Sequence, residues 1–302
     1  MTLPKRVRIV EVGPRDGLQD EAKILSAEIK AEFIEMLAGA GLVSIEAGSF
    51  VPQKSVPQMA STEEVLQRLE AHGDLRLSVL IPNLHGLIAA QSAGAKEISI
   101  FASASETFSQ RNINCSISDS LSRYAKVAEE AGRSGLRLRG YVSCALGCPY
   151  EGAVSPRHVV WLAGELRAIG CEEISVADTI GVGTPLVARR LIEEVAGEIG
   201  MERVAIHFHD AYGQALVNVF ACLEAGVATV DASVAGLGGC PFAPGAGGNL
   251  ATEDLVYMLD GMEVETGVDL GRLLDAASYI CARLDRMPAS SVARAMATRQ
   301  KA

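Results

Sequence analysis

The sequence predicts an α/β protein, a (β/α)8 barrel of the TIM type followed by one or two extra C-terminal helices. Eight short β-rich runs alternate with amphipathic helical stretches, at roughly thirty to forty residues per unit. Small-residue turns such as Ala38-Gly39-Ala40-Gly41, Ser92-Ala93-Gly94 and Ala168-Ile169-Gly170 stop a helix before the next strand. No Gly-x-Gly-x-x-Gly follows the first strand, which counts against a doubly wound dinucleotide fold. A single domain is expected over residues 1–302, with the barrel at about 5–262 and closing helices at about 263–302.

The first strand is expected over residues 7–12, running into Glu11-Val12-Gly13-Pro14-Arg15-Asp16-Gly17. Ile29, Phe33, Met36, Leu37 and Ala40 then trace one helical face. Strand two, residues 42–46, leads to Glu46-Ala47-Gly48-Ser49, and strands three and four are expected at 75–81 and 97–101. Strand five, 136–142, passes Arg139 and Tyr141, while strand six, 173–177, runs into Asp178-Thr179. Trp161 with Val159, Val160, Leu162 and Leu166 reads as core between them. Val187, Leu191, Val195 and Ile199 trace the next helix face, opened by Thr184-Pro185. Strand seven, 204–209, carries His207 and His209, and strand eight, 229–234, leads into a loop with Gly236, Gly238, Gly239, Cys240 and Pro241. Leu270, Leu273, Leu274, Ala277, Ile280 and Leu284 make a closing helix.

Composition narrows the function. With 49% hydrophobic residues the chain can bury a large core. A net charge of −10 argues against nucleic-acid or membrane partners, because phosphate surfaces are met by basic patches, and Lys5-Arg6-Val7-Arg8 is too short to serve as one. Seven cysteines form an odd set without a Cys-x-x-Cys pair, which suits a reducing compartment. Residues 1–10 lack an apolar signal core and no run of 18 apolar residues occurs, so a soluble, cytoplasmic protein is expected.

Two of the five histidines fall in His207-Phe208-His209-Asp210. Alternate residues of a strand share a face, so both imidazoles point one way. A His-x-His pair alone is more often structural than metal-ligating. Barrel chemistry sits at the carboxyl ends of the strands, and that filter adds Asp16, leaving open positions for substrate oxygens. The carbonyl of Asn249, delivered by the loop after strand eight, is a candidate fourth ligand. Ligand type favours Mn²⁺, Zn²⁺ or Co²⁺, whereas a substrate chelating through two oxygens favours six-coordinate Mg²⁺ or Mn²⁺.

Longer stretches carry a family resemblance. They are Val10 through Gln19, Ser49-Phe50-Val51-Pro52, Arg111 through Ser116, Gly140 through Tyr150, Asp178 through Pro185, and Gly236 through Leu259. In order and nearly end to end, they resemble the 3-hydroxy-3-methylglutaryl-CoA lyases, metal-dependent lyase and condensing barrels. The resemblance implies that Asp16, His207, His209 and Asn249 hold a divalent cation, Mg²⁺ or Mn²⁺. It implies catalytic or orienting roles for Arg15, Asp16, Glu46, Asp178, His207 and Cys240, with substrate contacts from Arg15, Gln19, Ser49, Arg139 and Tyr141. Departures are small: Gly48 stands where threonine often precedes the serine, and Ala22 lies near a frequent lysine.

The implied reaction is retro-Claisen cleavage of 3-hydroxy-3-methylglutaryl-CoA to acetyl-CoA and acetoacetate, as in leucine catabolism. Asp16 or His207 is the candidate base, Arg15 the stabiliser of the enolate oxygen, and Cys240 the acid on a glycine-rich lid. Each has a structural alternative: Arg15 paired with Asp16 or Glu46 at the rim, and Asp178 as a cap, although Thr184-Pro185 fits that role better. Glu46 reads best as a support orienting Arg15 or a ligand. Other functions compatible with the residues are a longer-chain lyase, a Claisen-condensing transferase and a non-catalytic acyl-CoA-binding barrel. The family further implies an acyl-CoA partner and a homo-oligomer.

Overall fold

The computed structural model describes residues 3–69, 75–239 and 248–299. Its eight strands are β1 (Arg8–Glu11), β2 (Ser44–Ser49), β3 (Arg76–Leu80), β4 (Glu97–Ser103), β5 (Arg137–Ser143), β6 (Glu173–Asp178), β7 (Val204–Phe208) and β8 (Thr229–Ala232). They pair in parallel and in sequence order, and β8 returns to β1 through Arg8↔Thr229 to Glu11↔Ala232, closing the barrel. The predicted (β/α)8 architecture is therefore the observed one, and each predicted run overlaps a strand.

Strand β2 extends past its predicted end to Ser49, and the cause is local. Its register with β3 shifts between Glu46 and Gly48. A Cβ at Gly48 would meet Thr62 Oγ1 at 2.5 Å, so only glycine lets the bulged strand lie against the helix that Thr62 opens.

The surrounding helices are α1 (Ala27–Gly39), α2 (Thr62–Arg68), α3 (Leu84–Ser92), α4 (Glu106–Ile113), α5 (Ile117–Arg133), α6 (Pro156–Ala168), α7 (Pro185–Ile199), α8 (Ala215–Ala225) and α9 (Thr252–Gly261). Beyond them, α10 (Leu270–Leu284) packs on α1 and α11 (Ser291–Arg299) on α9. These are the two closing helices. Helix α4 was not anticipated. Ser105 caps it through the Phe108 amide, and Asn114 ends it in the left-handed region at φ 50°.

Ile98, Ile100, Val142, Val176 and Ile206 fill the layer between strands and helices. The opposite parity turns Glu46, Ser99, Arg139, Ser175, His207 and Asp231 into the barrel, where hydrogen bonds and close contacts link them in two groups. Two core expectations need correction. Val187 is 51% exposed because the buried stripe of α7 runs through Ala188, Leu191, Ile192 and Val195. Trp161 is 44% exposed and stacks on His158 at 5.2 Å instead of entering the core. No helix among the described residues is long and apolar enough to cross a membrane.

Candidate active site at the barrel mouth

Arg15 and Asp16 sit on a single π-helical turn, Gly13–Gly17, directly after β1. Two glycines let that turn press against its neighbours. A Cβ at Gly13 would meet Glu11 Oε1 at 2.5 Å, and one at Gly17 would meet Ser233 Oγ at 2.6 Å. Glu11 ties the turn to the loop after β8, accepting hydrogen bonds from Gly13 N at 2.8 Å, Val234 N at 2.9 Å and Thr252 Oγ1 at 2.7 Å. Burial pushes the Glu11 carboxyl up to about 7.

Against this turn stand the two histidines of β7 and its end. Nε2 of His207 lies 3.7 Å from Asp16 Oδ2, and Nε2 of His209 lies 3.9 Å from the same oxygen. The imidazole centroids are 5.4 Å apart. One potential ligand atom from each of the three residues falls within 4.8 Å of the others. Asn249 Nδ2 donates to Asp16 Oδ2 at 2.8 Å and to Leu237 O at 3.2 Å, so the amide flanks the cluster.

The donors suit a divalent ion. One carboxylate and two imidazoles are a recurrent set for such metals. The buried Nδ1 of His209 has no hydrogen-bond partner among the described residues. Burial, with His207 adding, brings the His209 pKa down to about 4, which keeps the imidazole in the neutral form that a ligand needs. Burial alone would raise the Asp16 carboxyl, but Arg15, then His207 and His209, outweigh it and hold it well below the usual carboxylate range. His207 is braced from behind, its Nδ1 3.3 Å from Asp231 Oδ2. Burial pulls against ionisation of Asp231 too, and Arg139 overrides it.

Arg15 is 7% exposed and held on two sides, Nε donating to Glu46 and Nη1 to Asp16. Its guanidinium carbon lies 5.6 Å from the Tyr141 ring centroid. Glu46 also accepts from Ser99 Oγ, so this buried carboxylate fixes the plane and direction of Arg15. Arg15, Asp16, Gln19, Tyr141, His207 and His209 all line one cavity of about 590 Å³.

Residues 6–280 match the HMGL-like family model. The chain belongs to the HMGL-like family. A Pseudomonas aeruginosa protein named 3-hydroxy-3-isohexenylglutaryl-CoA/hydroxy-methylglutaryl-CoA lyase is 54% identical, over 98% of this chain and 99% of its own length. The solved structure of hydroxymethylglutaryl-CoA lyase from P. aeruginosa aligns with a TM-score of 0.97 at 54% identity, covering 99% of this chain and all of that one. An HMG-CoA lyase from Acinetobacter baumannii, solved in complex with coenzyme A and 3-methylmalate, aligns with a TM-score of 0.92 at 36% identity, covering 98% of this chain and 96% of its own.

Besides Asn249, which flanks the cluster, four expected site residues of this HMGL-like chain do not reach the cavity among the described residues. Asp178 turns its carboxylate into the β6–α7 loop, accepting from Val182 N at 3.2 Å and Gly183 N at 2.7 Å. Strand parity is the reason: Ala177 and Thr179 line the cavity, and Asp178 between them faces away. Arg139 lies two residues before Tyr141 on β5, one inward layer deeper by roughly 6.5 Å. Its guanidinium is occupied by Asp231 at 2.6 and 3.1 Å, Glu173 at 2.7 Å and Tyr141 Oη at 2.7 Å. Ser49 is buried with an unpartnered hydroxyl, while Val51 and Pro52 supply that wall. Glu46 is fully buried and meets Arg15 instead of the cavity. Cys240 lies outside the described residues, next to Gly239, which lines the cavity.

Sequence reasoning missed Asp231, Asp20 and Arg123. Asp231 left a readable signal, a lone carboxylate inside the apolar run Thr229-Val230-Asp231-Ala232. Asp20 and Arg123 line the cavity from a loop and a helix, where no strand-end rule looks.

Proposed function

We propose that this protein catalyses metal-dependent retro-Claisen cleavage of 3-hydroxy-3-methylglutaryl-CoA to acetyl-CoA and acetoacetate. The observation that carries this reading is the convergence of Asp16, His207 and His209 with the guanidinium of Arg15 in one cavity. Asp16, His207 and His209 would hold the cation, with Asn249 beside them. When bound, a divalent cation, which we take to be Mg²⁺ or Mn²⁺, orients the tertiary hydroxyl of the substrate and makes it more acidic.

Cleavage removes the hydroxyl proton, forms the ketone at C3 and breaks C2–C3, leaving the electron pair on a thioester enolate. Two groups stand ready for the proton, the ionised Asp16 carboxylate and His207, whose ring Asp231 orients through Nδ1. Arg15 offers a fixed positive charge to the enolate oxygen, and because Glu46 and Asp16 already hold it, little reorganisation is needed as that charge develops. Protonation of C2 completes acetyl-CoA, a task we assign to Cys240. Six other cysteines are buried free thiols, which supports a cytoplasmic setting.

A second reading keeps the chemistry and lengthens the substituent at C3. The cavity of about 590 Å³ has apolar walls from Val51, Val56, Leu80, Phe101, Phe108 and Ile113, room for a branched hydrocarbon chain. The name of the P. aeruginosa relative covers both substrates. Assaying acetyl-CoA release from the methyl and isohexenyl thioesters with Mg²⁺ or Mn²⁺ tests both. Release from the methyl substrate supports the first reading, a preference for the longer chain supports the second, and metal-loaded protein that cleaves neither overturns them.

A further inference from the structure

Two arginines line the cavity, and only one is neutralised. Arg15 is held by Glu46 and Asp16. Arg123, half-buried on α5, has no hydrogen bond or ion pair to any described residue. Its neighbouring acids are engaged elsewhere. Asp119, one helical turn earlier, faces back to Ser116 Oγ at 2.7 Å, and Glu106 accepts from Ile117 N at 3.2 Å.

The position is as informative as the charge. Helix α5 joins β4 to β5, and β4 lies opposite β8 in the closed ring of eight strands. Asp16, His207 and His209 stand at the ends of β1 and β7, which flank β8. Arg123 therefore faces the reactive cluster from the other side of the barrel mouth. Asn112 and Asn114 line the cavity beside it, Asn114 in the left-handed conformation that ends α4. Phe108 and Ile113 supply apolar wall nearby.

We propose that Arg123 is the anion anchor of this cavity, binding a phosphate or carboxylate oxyanion of an elongated ligand whose other end reaches Asp16. A planar guanidinium with no internal partner offers paired N–H donors to such a group. On a chain of net charge −10 it also supplies the local positive field that an anionic ligand needs on approach. The proposal rests on the acyl-CoA reading in one respect: 3-hydroxy-3-methylglutaryl-CoA carries both kinds of oxyanion, phosphates on the CoA arm and a carboxylate on the acyl arm.

The test compares wild type, Arg123→Gln and Arg123→Lys, all loaded with Mn²⁺. KM and kcat are measured with 3-hydroxy-3-methylglutaryl-CoA, and Kd by calorimetry with CoA and with free 3-hydroxy-3-methylglutarate. The expected result for Arg123→Gln is a KM raised about tenfold with kcat changed less than about threefold, the scale of one lost charge-assisted contact. Arg123→Lys should recover part of the loss, since it keeps the charge without the planar fork. A matching rise in Kd for CoA alone identifies the phosphate, and a rise for the free acid alone identifies the carboxylate. Unchanged KM and unchanged Kd for both probes overturn the anchor. If wild type binds the probes but cleaves nothing, the lyase reading fails while the Kd comparison still decides the role of Arg123.

Discussion

Asp231 Oδ2 lies 3.3 Å from His207 Nδ1, and the far nitrogen of the same ring stands 3.7 Å from Asp16. One buried carboxylate thus sets the direction in which His207 presents Nε2. The same oxygen accepts from Ser175 Oγ at 2.9 Å and Arg139 Nη1 at 3.1 Å, so its own position is fixed by two further strands. This is the carboxylate–histidine arrangement that tunes metal ligands.

Replacing that carboxylate should show in metal affinity before anything else. Asp231→Asn is expected to weaken Mn²⁺ binding by about 10- to 100-fold, read by calorimetry on the folded protein. Affinity equal to wild type would mean that His207 is oriented by other contacts.

Arg15 should behave differently. Arg15→Gln is expected to lower kcat by about 10²- to 10³-fold, the usual cost of one lost preorganised donor to a developing oxyanion. Turnover at the wild-type level would remove Arg15 from the reaction.

Glu253 makes stability depend on pH. Burial pushes its carboxyl from an ordinary 4.5 up to about 8, against the hydrogen bonds it accepts from Ala235 N at 2.9 Å. The folded state therefore holds a proton that the unfolded chain releases near pH 4.5. The stabilisation is fully present below that value and is lost as pH rises toward 8. Between pH 6.5 and 8, above the range where His209 acts in the opposite sense, unfolding free energy should fall by about 2 kcal/mol. Denaturant titrations of wild type and Glu253→Gln at both pH values check this. The variant should show a flatter profile, and an equal slope in both proteins would place the dependence elsewhere.

How much of this was readable beforehand depends on where each residue sits. The eight strands are legible because each is a short β-rich run with an apolar outward face, and the helices between them end in glycine turns. The bulge that carries β2 to Ser49 was not, since it depends on Thr62, a residue thirteen positions beyond Ser49 that the chain brings back against Gly48. His207 and His209 stand out as a His-x-His pair in the strand-seven run, and asking what ends each strand adds Asp16. That question works along the sequence and is blind to facing: it returns Asp178 and Thr179 together, the resemblance implies a role for Asp178, and it is Thr179 that lines the cavity. Arg139 was misplaced for a related reason, depth within the barrel. Trp161 and Val187 fell on helices whose buried stripe lies one position over.

The most direct measurement is equilibrium binding of Mn²⁺ to wild type and to Asp16→Asn, His207→Ala and His209→Ala, each confirmed as folded by circular dichroism. One saturable site in wild type, weakened about 100-fold or more in each of the three variants, is the expected result, since each loses one of three protein ligands. Wild-type affinity in any one of them would contradict the account, because that side chain would then lie outside the metal centre.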